Sequence, residues 1–390
     1  MKIKISSIMA ILLYHIIFIN LYYVEKYSLI IQAFALILFF YLALKMKFFI
    51  NSRYLKVNIL LFSFISIMLI SSIVNVNAQR GVFQVVKLLE VFLFFEYIKQ
   101  IGNEKNTIRI FTILTFIYII INDLLMFLSP SLFYLNNSNY LLGNKFQVSY
   151  IHILLPILYM YYNSLINKKD VSNMVASIIT LLFAMFISAY TECTTGLVGT
   201  ILFTVFYFCM RKKNKKVNAK AIIIVLLISC SILLIFSNIV KLKPVEYIIV
   251  NILHEDVTLT GRTIIYENIF NIIGSKWLLG YGYGNSYDVM SEQLNYPNTQ
   301  NALLEYWLTT GIAGMILLII LIYKILNNYN KNINSLIIYL LVFCILGSIE
   351  ITISTIFLAV LAIINEEDNK IYNNKKKILL ERGQYAKKIS

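Results

Sequence analysis

The run Trp277-Leu278-Leu279-Gly280-Tyr281-Gly282-Tyr283-Gly284-Asn285 decides how this chain is read. It is followed by the polar knot Pro297-Asn298-Thr299-Gln300-Asn301 and then by the apolar opening Ala302-Leu303-Leu304-Glu305-Tyr306-Trp307. The run lies in a stretch of about sixty residues, from Lys241 to Gln300, that interrupts an otherwise unbroken succession of apolar segments. A polytopic membrane protein concentrates its chemistry where backbone leaves the helices and lines a protected cavity. The interruption is therefore where function is sought.

The rest of the chain supplies the membrane. Of 390 residues, 59% are hydrophobic and 14% charged, against roughly a quarter charged in soluble domains. Crossing the hydrocarbon takes about 20 apolar residues. Runs of this kind occur at 5–24, 28–44, 57–74, 81–98, 107–128, 148–166, 171–190, 194–210, 219–239 and 301–323. The last run, 333–364, is too long for one helix and is interrupted by Gly347-Ser348-Ile349-Glu350, which divides it into 333–348 and 351–364. The expected fold is all-α: a polytopic integral membrane protein of about twelve transmembrane helices over residues 1–365. One large extracytoplasmic loop is expected at about 240–300, and a basic cytoplasmic tail at 366–390. Residues 5–24 follow Lys2 and Lys4 but carry no small-x-small cleavage site, so they are read as the first span.

Charge placement fixes the expected orientation. With the N-terminus inside, 26 of the 34 Lys and Arg residues fall on the cytoplasmic side and 7 outside, with Lys87 within a span. This bias places both termini in the cytoplasm and the 240–300 loop outside. The net charge of +15 sits in short clusters at alternate helix connections, as topology and anionic headgroups require. It forms no continuous basic face for nucleic acid. Cys193, Cys209, Cys230 and Cys344 lie in or at the ends of apolar runs and read as small apolar residues. No repeat relates the two halves, which disfavours many transporter folds.

Few ionisable residues lie outside or within the membrane, and each charged group within a span is costly unless it faces protein or water. Arg80 and Arg262 are the outward-facing arginines, and a guanidinium offers a donor fork that fits phosphate. The blander reading of either is an interfacial anchor. Lys145, beside Gly143-Asn144, is a third outward cation. Lys87 and Glu90 lie three apart and read as a structural pair on one helix face. His152, four residues before Pro156, is a lone core-type histidine or a base. Glu192 lies in the tight turn Tyr190-Thr191-Glu192-Cys193, Glu305 one turn into its span, and Glu350 at the break in the last run, the last two read as candidates to face a polar cavity. Residues 265–276 read as a helix lying in the interface, with Trp277, Tyr281 and Tyr283 at headgroup level. The Gly280-x-Gly282-x-Gly284 run has neither the preceding strand nor the following Lys of a nucleotide loop.

Taken in order, Gly261-Arg262, the Trp-Leu-Leu-Gly-x-Gly-x-Gly-Asn run, the polar pair Gln300-Asn301 and the span with Gly311-Ile312-Ala313-Gly314 resemble the O-antigen ligase and polymerase superfamily. The likeness is greatest to the repeat-unit polymerases of capsule and O-antigen assembly (Wzy type). The 143–156 stretch and Thr194-Thr195-Gly196-Leu197-Val198-Gly199 add to it, and the likeness covers roughly residues 140–365. Many members, ligases especially, carry His-Asn where this chain has Gln300-Asn301, and often an Arg in the turn where Glu192 stands. The first departure favours a polymerase.

The resemblance implies a membrane glycosyltransferase acting on the outer face of the bacterial cytoplasmic membrane. A growing glycan would pass from polyprenyl (undecaprenyl) diphosphate to a sugar hydroxyl of a new lipid-linked repeat unit, building surface polysaccharide of the cell envelope. Arg262 and Arg80 would stabilise charge on the diphosphate. Glu192, Glu305 or His152 would accept the hydroxyl proton. Tyr281, Tyr283, Tyr296, Asn298, Gln300 and Asn301 would bind sugar, with Lys145 a further cation. The implied partners are polyprenyl-diphosphate-linked oligosaccharide and membrane lipid, with a flippase and a chain-length regulator of the same pathway. No cofactor, metal or nucleic acid is expected. The rival readings are a ligase-like glycan transferase and a flippase or transporter of lipid-linked oligosaccharide.

Overall fold

The computed structural model describes residues 5–18, scattered positions from 34 to 44, and residues 54–75, 78–128, 139–167, 171–211, 215–236, 243–247 and 261–366. Most of the expected span at 28–44, part of the 240–300 loop and nearly all of the 366–390 tail lie outside the described residues.

The described chain is a bundle of helices: α1 (Ile5–Phe18), α2 (Leu55–Val74), α3 (Ala78–Gln100), α4 (Glu104–Leu128), α5 (Lys145–Leu165), α6 (Val171–Tyr190), α7 (Thr194–Arg211) and α8 (Ala219–Phe236). After these come the short α9 (Lys243–Tyr247), α10 (Arg262–Ile273) and α11 (Ser286–Leu294). The chain then forms α12 (Ala302–Asn328), α13 (Ser335–Leu346) and α14 (Thr355–Ile364). A two-residue antiparallel pair, β1 (Asn139–Tyr140) and β2 (Gly143–Asn144), leads into α5. Among the described residues, α2, α4, α6 and α12 are long and apolar enough to cross a membrane, and α1, α7, α8, α13 and α14 include shorter apolar segments.

The centre of the bundle is the pair α13 and α14. Both are apolar on every side, as a helix enclosed by others or facing lipid is, and here they are enclosed. Nearly every residue of Leu336–Leu346 and all of Phe357–Ile364 are buried. Around them pack α3, α5, α7, α8 and α12, while α4 and α6 lie further out. The outer helices turn large apolar side chains outward, including Ile117, Ile121 and Leu124 of α4 and Ile179, Leu182 and Phe186 of α6. An exposed apolar surface of this extent matches a hydrocarbon solvent.

α12 is not a continuous helix. At Gly311 the backbone turns to φ 69°, ψ 178°, outside the helical region. The glycine-aromatic run docks in the break. Tyr281 N–H donates to Leu308 O (2.8 Å), Gly282 N–H to Thr309 O (2.9 Å) and Ile312 N–H to Trp277 O (2.9 Å). A Cβ on Gly280 would lie 2.6 Å from Gly311 N, and one on Gly311 would lie 2.0 Å from Leu278 O. Both glycines have positive φ. Here the absence of a side chain permits two backbones to meet and exchange hydrogen bonds. The same contact carries α10 and α11 onto the bundle. Ile265, Tyr266, Ile269 and Ile273 of α10 bury against Met290 of α11 and against Leu304 and Leu308 of α12, as a second, smaller core.

Candidate functional site

At the end of the bundle that carries α10 and α11, seven segments line a cavity of about 850 Å³, near the upper end of the range for small-molecule sites. The start of α5 contributes Asn144, Lys145, Gln147 and Tyr150. The turn into α7 contributes Glu192, Thr194 and Thr195. Arg262 opens α10, the 297–300 knot supplies Asn298 and Gln300, and the α13–α14 connection supplies Ile349, Glu350, Ser354 and Thr355. Lys87 of α3 and Ile16–Phe18 of α1 complete the wall.

Each polar group is held by identifiable local structure. Gly261, at φ 85°, turns the chain into α10 and makes Arg262 its first residue. The ring of Tyr296 covers Gly261 so closely that a Cβ there would lie 2.2 Å from it. The Arg262 guanidinium donates from Nε (3.2 Å) and Nη2 (3.0 Å) to Ile349 O, which pins it to the α13–α14 connection beside Glu350. The Tyr266 hydroxyl, 3.1 Å from Gln300 O and 3.0 Å from Ser348 O, joins the 300 knot to the same connection. Asn144 caps α5 in a reciprocal pair with Gln147, which fixes the start of the helix that presents Lys145 and Tyr150. Lys145 Nζ donates to Glu192 O (3.2 Å), linking α5 to the turn before α7.

Two kinds of stress mark this wall. Glu192 (φ 53°) and Gln300 (φ 50°) are non-glycine residues in the left-handed region, which costs about 1–3 kcal/mol each and is characteristic of functional sites. Gln300 Oε1 and the Tyr150 hydroxyl are buried with no hydrogen-bond partner among the described residues. Such groups cost about 1–3 kcal/mol until something pairs with them. Glu350 accepts one bond from Ile351 N–H (3.1 Å). Burial pushes its carboxyl above the usual carboxylate range, and the Ile351 N–H and Arg262 act in the opposite direction.

The cavity brings together Arg262, Glu192, Lys145, Asn298 and Gln300 from the residues singled out in the sequence. The others lie elsewhere. Arg80 Nη1 donates to Gly284 O (2.7 Å) and Asp288 Oδ2 (3.3 Å), an exposed strut from α3 to α11 and the loop before it. Glu305 Oε2 accepts from Thr299 Oγ1 (3.0 Å) and Thr299 N–H (3.3 Å), inside the polar knot. His152 is buried between Val148 O and Asp123 Oδ2 (2.7 and 3.1 Å). Asn301 is fully buried. It caps α12 through Leu303 N–H and Leu304 N–H and donates to Cys230 O. Tyr281 bonds Ile272 O (2.6 Å), Tyr283 packs against the main core, and Tyr296 covers Gly261. Lys87, weighed in the sequence only as half of an ion pair, lines the cavity, as do Glu350, read in the sequence as a break and a candidate to face a polar cavity, and Tyr150. An ionisable residue inside an apolar run was the available signal for the first two, whereas Tyr150 is one of 28 tyrosines and carried none.

Fold and site together define a polytopic helical membrane protein with a cationic, amide-lined cavity at one end of its bundle. Residues 176–319, from α6 into α12, match the family model described as O-Antigen ligase. The match supports the O-antigen ligase/polymerase superfamily, whose members are membrane glycosyltransferase-like enzymes acting on lipid-linked glycans. The apolar helices and this family together suggest a multi-pass protein of the bacterial inner membrane. No curated protein and no solved structure matches the chain.

Proposed function

We propose that the chain polymerises lipid-linked oligosaccharide repeat units into surface polysaccharide, capsule or O-antigen, on the outer face of the membrane. In this reading the chain crosses about twelve times with both termini inside, and the cavity opens outward. The observation that carries the proposal is the gathering of Arg262, Lys145, two carboxylates and several amides around one cavity large enough for sugars.

The reaction is a glycosyl transfer. A hydroxyl oxygen of the incoming repeat unit attacks the anomeric carbon of the growing glycan. The bond from that carbon to the diphosphate oxygen breaks, and its electron pair leaves with the polyprenyl diphosphate. The hydroxyl proton passes to a carboxylate. Arg262, with Lys145 as a second cation, stabilises the charge that builds on the leaving diphosphate. Glu350 flanks the carbonyl that Arg262 grips, and it is our candidate proton acceptor, with Glu192, which also lines the cavity, as the alternative. Asn298, Gln300, Gln147 and Asn144 supply hydrogen bonds to sugar hydroxyls. The unpartnered Gln300 Oε1 supports a ligand that brings donors, as a sugar does.

The test replaces Arg262 with Ala in the native host and examines the surface polysaccharide. The expected result is loss of long chains and accumulation of single repeat units on lipid, with turnover down about 10²–10³-fold, as when one charge-stabilising donor is removed. Normal chain length would remove the diphosphate role. Repeat units held on the cytoplasmic face alone would indicate a flippase.

A further inference from the structure

Tyr150 is a buried side chain whose polar end has nothing to bond. It is only 8% exposed, and its hydroxyl has no hydrogen-bond partner among the described residues. It nevertheless lines the cavity. A phenol in this state is costly, because folding has taken its O–H from water and returned no acceptor. A phenol loses its proton only near about pH 10, so at neutral pH it offers one donor.

The ring is firmly placed. Asn144 and Gln147 fix the start of α5, and Tyr150 follows Gln147 by about one turn. The ring meets Phe343 of α13 edge-on, with centroids 5.1 Å apart, and lies 6.4 Å from that of Phe146. Phe343 packs in turn on the ring of Tyr339 (4.0 Å), and its carbonyl accepts from Thr352 Oγ1. Thr352 lies two residues beyond Glu350, on the connection that Arg262 grips. Phe343 therefore braces both Tyr150 and that connection. Arg262 and Glu350 are the charged side chains that act on the Tyr150 hydroxyl. Tyr339 supplies the contrast. Its hydroxyl is also buried without a partner, but Tyr339 is not part of the cavity wall, so a ligand in the cavity does not reach it.

We infer that Tyr150 is a further catalytic residue, whose hydroxyl donates a hydrogen bond to the diphosphate oxygen that leaves the anomeric carbon. This rests on the glycosyl-transfer reading above. As the carbon–oxygen bond breaks, its electron pair moves onto that oxygen. Arg262 answers the charge, and Tyr150 supplies a directed donor without giving up its proton. The proton of the attacking hydroxyl still passes to the carboxylate. The leaving oxygen is a better acceptor for this donor than a sugar hydroxyl is, because it gains negative charge in the transition state, and a hydrogen bond to a charged partner is roughly twice as strong as one between neutral groups.

The test is Tyr150→Phe, which removes one oxygen and keeps the ring, with Tyr339→Phe as the control. Each full-length chain is reconstituted in liposomes with a polyprenyl-diphosphate-linked repeat unit, and the release of polyprenyl diphosphate is timed. Thermal unfolding in detergent is followed in parallel. Tyr150→Phe should lower kcat about 10²-fold with KM changed by no more than about twofold, as when a contact made only in the transition state is lost. Its unfolding midpoint should lie at or above that of the wild type, because an unpaired buried group has been deleted. Tyr339→Phe should show the same midpoint behaviour with full turnover. A packing role for the Tyr150 hydroxyl does not produce lost turnover together with retained or raised stability. Unchanged kcat in Tyr150→Phe would overturn the inference, and a raised KM alongside it would make the hydroxyl a sugar contact. A lowered midpoint would also overturn it, by showing that the hydroxyl has a partner in the protein, as would an equal loss of turnover in Tyr339→Phe. A wild-type chain that releases no polyprenyl diphosphate would instead remove the glycosyl-transfer reading, and this role with it.

Discussion

Glu350 is the residue on which proton transfer turns in this account. Its carboxyl is raised by burial, so it protonates at a higher pH than an exposed glutamate, whose value is about 4.3. A base acts only when ionised. Turnover should therefore fall as pH is lowered through that raised value, and it should be full above it. Glu350→Gln is expected to lower the rate about 10²–10⁴-fold, the usual contribution of a positioned base, and to abolish the acid limb of the pH profile. Glu192→Gln should leave both nearly intact. Rates measured in proteoliposomes across pH check this, and an acid limb that survives in Glu350→Gln and disappears in Glu192→Gln would exchange the two roles. The distinction was not legible in the sequence. Both glutamates were visible as charges among apolar runs, but nothing along the chain says which of them flanks the carbonyl that Arg262 holds.

At the scale of elements, the glycine-aromatic run and the broken α12 are one structure. The glycines announced a backbone that must approach something closely. Their partner, Gly311, is about thirty residues away inside what reads as an uninterrupted apolar span. Apolar periodicity marks where a helix belongs, but it does not report a single left-handed residue within it. Gly280→Ala and Gly311→Ala should each cost at least about 1–3 kcal/mol from the left-handed backbone alone. The close backbone contacts, which cannot move aside as a flexible side chain can, add to that cost. Thermal unfolding in detergent should show a clear fall for both. Asn301→Ala should also lower the midpoint, through loss of the α12 cap, typically about 1 kcal/mol, and of the bond to Cys230 O. If Asn301→Ala kept full thermal stability while losing only sugar binding, Asn301 would act on substrate rather than as a cap.

At the scale of the whole molecule, the long helices were legible because each is an apolar run closed by polar residues, whereas the short α11 (Ser286–Leu294) carries no such run. The 171–190 run, for example, is the helix Val171–Tyr190. The cavity was only partly legible. Its charges come from positions 87, 145, 192, 262 and 350, on five separate elements, and their meeting depends on helix packing that the linear order does not encode. The interior position of α13 and α14 was not legible in their composition, since a helix apolar on every side can equally face lipid, as α8 does through Ile224 and Ile228. Orientation is a prediction that charge bias makes for the entire chain. In a variant lacking its four native cysteines, a cysteine at the exposed Lys276 should react with a membrane-impermeant maleimide in intact cells. One at the exposed Lys215 should react only after lysis. The reverse pattern would place the cavity in the cytoplasm, away from any lipid-linked glycan displayed outside.

The most direct test is reconstitution of the purified chain in liposomes with one substrate, a synthetic polyprenyl-diphosphate-linked repeat unit, and mass spectrometry of the products. The account predicts a ladder of lipid-linked oligomers, with one free polyprenyl diphosphate released for each bond formed and no ladder from Arg262→Ala. Transfer only after a different acceptor is supplied, or movement of the repeat unit across the bilayer with no bond formed, would contradict it.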